Sequence, residues 1–303
     1  MFAGQGAQVP GMGKDFAEAD PEVMSLFDRA NAVLGFDLKK TCFEGPAEEL
    51  TKSNICQPAI FVTSYAAYLT LQKRRPVVFD CAAGLSLGEW GALCAAGVLD
   101  FESTLTVLEA RGRFMQEACE AEPSGMIAIV GAAPGQLDEI CAKTGCTVAN
   151  VNSPAQQVLS GSKDAVAAAA SVAKELGVKR AIPLATAGGF HSKFMAPARE
   201  KLAPVLDGVK FSAPKMPVLS NVTGKPHSGD PAAIRATMLE QVTGTTNWAA
   251  DVECAKSMGC ARFVEFGPGK VLSGLVKKID ASLAACNVAD MASLGEAVAA
   301  LEA

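Results

Sequence analysis

The clearest change of pattern along the chain lies between residues 75 and 99. Pro76-Val77-Val78-Phe79-Asp80-Cys81-Ala82-Ala83 is a nearly continuous apolar run of strand length, with Asp80 its polar interruption. Such runs predict a mostly buried strand. Gly84-Leu85-Ser86-Leu87-Gly88 then forms a tight turn, and Glu89 to Ala96 reads as a helix closed by Gly97. From Phe101 to Ala121 the positions Phe101, Leu105, Leu108, Phe114, Met115 and Ala118 fall at helical spacing and predict one long helix. Glu122-Pro123-Ser124-Gly125 breaks that period and marks a boundary.

Beyond the boundary the rhythm changes. Strands are expected at Met126–Val130, Thr147–Val151, Gln156–Ser160 and Val178–Leu184. A helix over Pro134–Lys143, with Pro134 in its first turn, and an Ala-rich helix over Asp164–Leu176, stopped by Gly177, separate them. The order β-α-β-β-α-β is that of a ferredoxin-like unit. After Gly188-Gly189 the chain returns to mixed α/β, with buried strands expected at Val218–Asn221 and Arg262–Phe266, each leading into a Gly-containing turn. Both suit the C-terminal edge of a parallel sheet, where active-site loops gather. The predicted fold class is α/β: a hydrolase-like large domain with a mainly parallel sheet, formed by residues 1–122 and 191–303, and an inserted ferredoxin-like small domain at 123–190.

Composition narrows the function. Of 303 residues, half are apolar and 19% are charged, which is ample for a large core. The formal net charge of −5 argues against a protein whose work is gripping nucleic acid. No apolar run approaches ~18 residues, so no membrane span is expected. No secretory signal is visible. The ten cysteines form no CxxC pair, and the chain has two histidines, so a Cys/His metal cluster is not expected; most of the cysteines read as small core residues in a reducing compartment. Met1-Phe2-Ala3 leads directly into a Gly-rich turn, like the end of a strand whose start lies outside the sequence. The expected compartment is the cytoplasm, or the plastid stroma if a transit peptide has been removed.

The candidate chemistry centres on Ser86. Gly84-x-Ser86-x-Gly88 is a nucleophile-elbow pattern: small flanking residues permit a turn tight enough to lift the hydroxyl clear, and the following helix aims its first N–H groups, including that of Leu87, at the reacting centre. A Ser nucleophile needs a base, and only His191 and His227 are available. His227 lies in the polar, turn-rich stretch Lys225–Pro231 and reads as a solvated loop residue. His191, in Gly188-Gly189-Phe190-His191-Ser192, is favoured as the base. Gly4-Gln5-Gly6-Ala7-Gln8 reads equally well as an ordinary strand exit or as the source of a second oxyanion-hole N–H, that of Gln5. Arg111, on the long helix, is either a solvated surface residue or a buried guanidinium that grips a substrate carboxylate.

Taken together, the motifs resemble those of the malonyl-CoA:acyl carrier protein transacylases and the related acyltransferase domains of polyketide synthases. The Gly-Gln-Gly-Ser/Ala-Gln run is similar to Gly4–Gln8, the Gly-His-Ser-Leu-Gly-Glu elbow to Gly84–Glu89, and Arg-Gly-x-x-Met-Gln to Arg111–Gln116. Asn-x-Pro-x-Gln-x-Val-x-x-Gly resembles Asn152–Gly161, Phe-His-Ser resembles Phe190–Ser192, and Gly-Pro-Gly-x-x-Leu resembles Gly267–Leu272. The order and spacing hold over almost the whole chain. Leu85 departs from the pattern, standing where the family usually has His.

The resemblance implies a ping-pong transfer of a malonyl group from malonyl-CoA, through an ester on Ser86, to the phosphopantetheine thiol of an acyl carrier protein in fatty acid synthesis. It implies His191 as base, oriented by a backbone carbonyl at Gln241, and an oxyanion hole from Gln5 and Leu87. Arg111 would pair with the malonyl carboxylate, with Met115, Asn152 and Phe190 completing the substrate site. No bound cofactor is implied: the CoA thioester is a substrate, and the partner carries the phosphopantetheine. A monomer is expected. Lys179, Arg180, Lys193, Lys270, Lys277 and Lys278 are candidate cations for an acidic carrier. The alternatives are an acyltransferase for another acyl group, a hydrolase or thioesterase of the α/β-hydrolase type, and a non-catalytic carrier-binding module. The hydrolase places its His near the chain end and uses an HGGG-like loop that this sequence lacks.

Overall fold

The computed structural model describes residues 1–302. Its large body is organised on a parallel sheet. Extended segments lie side by side in the order 217–219, 81–84, 1–3, Arg262–Phe266 and Ala284–Val288, every pairing parallel. The ladder is carried by Ala82 N–H to Pro217 O (2.8 Å), Phe2 N–H to Ala83 O (2.9 Å) and Ala3 N–H to Phe266 O (3.1 Å). The apolar run 76–83 pairs only from Ala82 onward, and Val78 is 97% exposed. Pro76, Val78 and Asp80 are exposed, while Phe79 packs against Tyr68 and Phe266; among the described residues no strand pairs with 76–80, so apolar content alone overstated that strand.

Helices cover the sheet. Ser53–Arg74 and Phe101–Ala121 pack against each other, and the second matches the expected helix in both of its ends. Asp100 caps it by accepting from Ser103 N–H, which satisfies one of the first-turn donors. The short helix Leu87–Ala95 follows the segment 81–84 and is almost wholly buried.

Residues 124–183 form a four-stranded antiparallel sheet. In chain order its elements are strand Ser124–Val130, helix Gln136–Thr144, strands Thr147–Ser153 and Gln156–Ser162, helix Lys163–Glu175 and strand Arg180–Pro183. The spatial order is second, third, first, fourth strand, which is ferredoxin-like topology. Helix Gln136–Thr144 begins after Gly135, so Pro134 lies before its first turn rather than within it; Gly135 takes the left-handed conformation that turns the chain into the helix. Alternation along the first strand separates two cores. Ile127 and Ile129 pack with Leu159, Ile140, Val166 and Ala169 under the unit's own helices, whereas Met126, Ala128 and Val158 join the main core. A sheet buried on both faces cannot slip register by one residue without exposing one set and burying polar groups.

Two backbone links hold this unit beside the sheet's C-terminal edge: Val151 N–H to Thr246 O (2.9 Å) and Thr246 N–H to Ala149 O (2.8 Å). Among the described residues no helix is long and apolar enough to cross a membrane.

The approach of helix Leu87–Ala95 to the sheet is set by two glycines. A Cβ on Gly84 would lie 2.0 Å from the Gly88 carbonyl, and one on Gly88 would lie 2.2 Å from Phe2 O. Backbone meets backbone at both places, so neither neighbour can swing aside. Gly88→Ala is therefore expected to lower the stability by roughly 1–3 kcal/mol, the usual range for overpacking, read as a fall in the urea midpoint. An unchanged midpoint would show that the helix does not lie on the strand in this way.

Candidate active site

Three neighbouring strand ends converge at the C-terminal edge of the parallel sheet: Gly4-Gln5, Leu85-Ser86 and Ser220-Asn221. Ser86 occupies φ 55°, ψ −103°, a region L-residues rarely enter. Leu85 N–H donates to Phe2 O (3.3 Å) and Ser86 N–H to Asn221 Oδ1 (2.7 Å), which pins both residues of the turn. Helix Leu87–Ala95 starts immediately, so the Leu87 N–H is one of its unpaired first-turn donors. Among the described residues neither the Leu87 nor the Gln5 N–H has an acceptor.

His191 arrives on the segment that leaves the small sheet. Ser160 Oγ donates to Phe190 O (2.6 Å), and Gly189 N–H donates to Ser124 Oγ (2.9 Å). His191 itself has φ 54°. Its Nε2 lies 2.8 Å from Ser86 Oγ. Its Nδ1 faces the carbonyls of Gln241 (3.0 Å) and Gly244 (3.2 Å). Carbonyls only accept, so the proton sits on Nδ1 and leaves Nε2 as acceptor for the Ser86 hydroxyl. Burial, and next the Arg111 charge, push the imidazole down to about 4, against the pull of the two carbonyls.

Arg111 is 1% exposed, which settles the choice left open by the sequence in favour of the buried guanidinium. Its Nη1 donates to Gln57 Oε1 (2.7 Å), and its Nη2 to Gln241 Oε1 (3.0 Å) and Ser86 Oγ (3.0 Å), while Nε has no partner among the described residues. Burial lowers its pKa to about 10, with Glu89 opposing, so it stays charged at neutral pH. Gln241 links the cation, the imidazole and the elbow. Its carbonyl faces His191, and its side-chain nitrogen donates to Ser86 O (2.9 Å) and Glu89 Oε2 (2.5 Å).

Several of these residues were not singled out from the sequence. Gln57 is a lone amide inside the apolar stretch Cys56–Phe61, and Asn221 follows an apolar strand; in both cases a polar residue where burial was expected was the available signal. His227 is a correction. It was expected to be a solvated loop residue, yet its side chain is 1% exposed and its Nε2 lies 2.7 Å from Glu89 Oε1. The turn 225–231 is exposed around it, but the buried carboxylate of Glu89, on the elbow helix, draws the ring inward.

Ser86, His191, Gln5, Met115, Asn152 and Phe190 all line one cleft of about 710 Å³ between the two sheets. Asn152 Oδ1 is buried and, among the described residues, has no partner. Met115 Sδ accepts from Gln57 Nε2 (3.6 Å), which ties the cleft wall to the amide that holds Arg111. A smaller cavity of about 170 Å³, bordered by Val77, Phe79, Trp248 and Phe263, contains none of these side chains.

Residues 1–295 match the family described as acyl transferase domain. The chain belongs to that family. It is 40% identical to the malonyl CoA-acyl carrier protein transacylase of Bacillus subtilis over 307 residues, covering all of this chain and 96% of that protein. Among solved structures, the malonyl CoA-acyl carrier protein transacylase of Clostridium perfringens superposes with a TM-score of 0.94 at 38% identity, over 99% of this chain and 96% of that one. A malonyl-transacylase solved with a type II polyketide acyl-carrier protein, PlMCAT:AntF in its holo form, gives 0.94 at 39% identity, over 99% and 98%.

The acyltransferase site thus sets a neutral imidazole beside a hydroxyl, with a cation on the hydroxyl's other side. NMR titration of the two imidazoles, assigned with His227→Gln, should place His191 near 4. In Arg111→Ala it should rise, because removing a positive neighbour favours the imidazolium. A His191 that titrates near 6.5 in both proteins would contradict the burial and charge described.

Proposed function

We propose that this acyltransferase moves a malonyl group from malonyl-CoA to the phosphopantetheine thiol of an acyl carrier protein, supplying fatty acid synthesis. The observation that carries the reading is that Ser86 Oγ lies between a base, His191 Nε2 at 2.8 Å, and a carboxylate-binding cation, Arg111 Nη2 at 3.0 Å. The names of the 40%-identical relatives and of the carrier complex support the same substrates.

In the first half-reaction Ser86 Oγ attacks the thioester carbonyl as its proton passes to His191 Nε2. The oxyanion rests on the Gln5 and Leu87 N–H groups, which have no other acceptor among the described residues. Collapse breaks the C–S bond, and His191 returns the proton to the departing CoA thiolate. In the second half-reaction the carrier's thiol gives its proton to His191 and attacks the Ser86 ester. Collapse then restores the Ser86 hydroxyl with the proton from His191. Gln241 O holds the Nδ1–H throughout and so fixes the ring's orientation.

Arg111 accounts for a preference for an acyl group with a free carboxylate. A carboxylate that pairs with the guanidinium also neutralises the charge that depresses His191. Malonyl binding therefore raises the base's proton affinity when the base is needed. Met115, Asn152 and Phe190 close the cleft around the acyl group.

Exposure to malonyl-CoA followed by peptide mass spectrometry should place a malonyl ester on Ser86, discharged by holo carrier protein and not by the apo form, and Ser86→Ala should take none. An adduct on another residue would overturn the assignment. For the carrier, Lys179, Arg180, Lys193, Lys270, Lys277 and Lys278 are exposed and, among the described residues, make no ion pair with a carboxylate. Reversing the charge of Lys270 and Lys277 together should raise the carrier's KM several-fold and flatten its salt dependence, with Ser86 acylation by malonyl-CoA unchanged. Carrier kinetics that stay the same would remove this surface from the interface.

A further inference from the structure

Asn221 makes hydrogen bonds through its backbone and through its side-chain oxygen and nitrogen while 0% exposed, and the side-chain bonds converge on the elbow. Its Oδ1 accepts from Ser86 N–H (2.7 Å), and its Nδ2 donates to Gly84 O (2.8 Å) and to Asp251 Oδ2 (2.8 Å). Its backbone N–H donates to Glu89 Oε1 (3.3 Å), and its carbonyl accepts from Asn247 N–H (2.8 Å). The side-chain amide therefore clasps the turn at both ends, one residue on either side of Leu85. The partners fix its orientation, since Ser86 N–H can only donate and Gly84 O can only accept.

We infer that Asn221 is a positioning residue for the acyl transfer: its amide holds Ser86 in the strained conformation that keeps the hydroxyl against His191. Three features lead there. A non-glycine residue at φ 55°, ψ −103° persists only where its surroundings over-determine it. The glycines at 84 and 88 make the turn sterically permitted, but they supply no bond to the Ser86 amide; Asn221 supplies it from the adjacent strand. Because the Ser86 N–H is occupied by Asn221, it is not free to join the oxyanion hole, which leaves that task to its neighbours.

The chemistry also explains why the residue is Asn. Asp could accept from Ser86 N–H but would leave Gly84 O without a donor and set a third carboxylate beside Asp251 and Glu89. Those two already crowd each other: burial, then the Glu89 charge, push the Asp251 carboxyl well up, and among the described residues its Oδ1 has no partner. Leu would satisfy neither end of the clasp.

The inference rests on Ser86 as the acylated residue, and the test separates the two claims. Single-turnover acylation by malonyl-CoA is followed by mass spectrometry in wild type, Asn221→Ala, Asn221→Asp and the swap Asn221→Asp/Asp251→Asn, each confirmed folded by circular dichroism. Asn221→Ala should keep the wild-type KM for malonyl-CoA while the acylation rate falls about 10²-fold, the usual scale for a displaced nucleophile. The swap restores a donor–acceptor pair between positions 221 and 251 and should recover at least tenfold over Asn221→Asp. If Asn221→Ala acylates Ser86 within threefold of wild type, or the swap is no faster than Asn221→Asp, Asn221 is not a positioning residue. An adduct away from Ser86 in the wild type would instead overturn the nucleophile itself. If Asn221→Ala does not fold, the comparison of Asn221→Asp with the swap decides the matter alone.

Discussion

A guanidinium that is 1% exposed has lost its water, and leaving it uncompensated would cost at least several kcal/mol. The candidate active site is arranged around that constraint. Arg111 finds amide oxygens on Gln57 and Gln241, and the nearest balancing charge is Glu89, itself 0% exposed, reached through Gln241. Gln241 is thus shared between cation, anion, Ser86 and His191. Moving it would disturb the imidazole and the charge balance together. Burial first, and the same cation second, lower the proton affinity of His191, so the imidazole beside Ser86 is neutral at pH 7.

The rest of the fold delivers these groups to one place. A parallel sheet puts the C-terminal ends of neighbouring strands side by side, which brings Gln5, Ser86 and Asn221 together although they are far apart in sequence. The small antiparallel unit forms the other wall of the cleft. It contributes Asn152 directly and fixes His191 through Ser160 and Ser124. Its backbone links to Thr246 hold the loop whose carbonyls orient the imidazole.

Much of this was legible in the sequence because the constraints were local. Gly84 and Gly88 around Ser86 announced the elbow, and the β-α-β-β-α-β rhythm announced the small unit. A chain with two histidines left little choice of imidazole to stand beside Ser86, and the structure puts His191 there. What was not legible depended on contacts between distant segments. Whether Arg111 was solvated or buried could not be read from its own helix, because Gln57 and Gln241 decide it from elsewhere. His227 looked like a turn residue until Glu89 was seen beneath it. The apolar run 76–80 looked like buried strand, but among the described residues no strand pairs with it, and only its Val77 and Phe79 side is partly buried. The helical segments before Arg75 carried no motif, and their contribution, Gln57, is one amide in an apolar helix.

The central claim is that the buried cation selects the acyl group. The direct measurement is a competition in which equimolar malonyl-CoA and acetyl-CoA label Ser86 in wild type and in Arg111→Ala, read by peptide mass spectrometry at early times. Loss of a charge-assisted bidentate pair predicts that a malonyl preference on the order of 10²-fold in the wild type collapses to near unity in the variant. An Arg111→Ala protein that still prefers malonyl as strongly as the wild type would contradict the account.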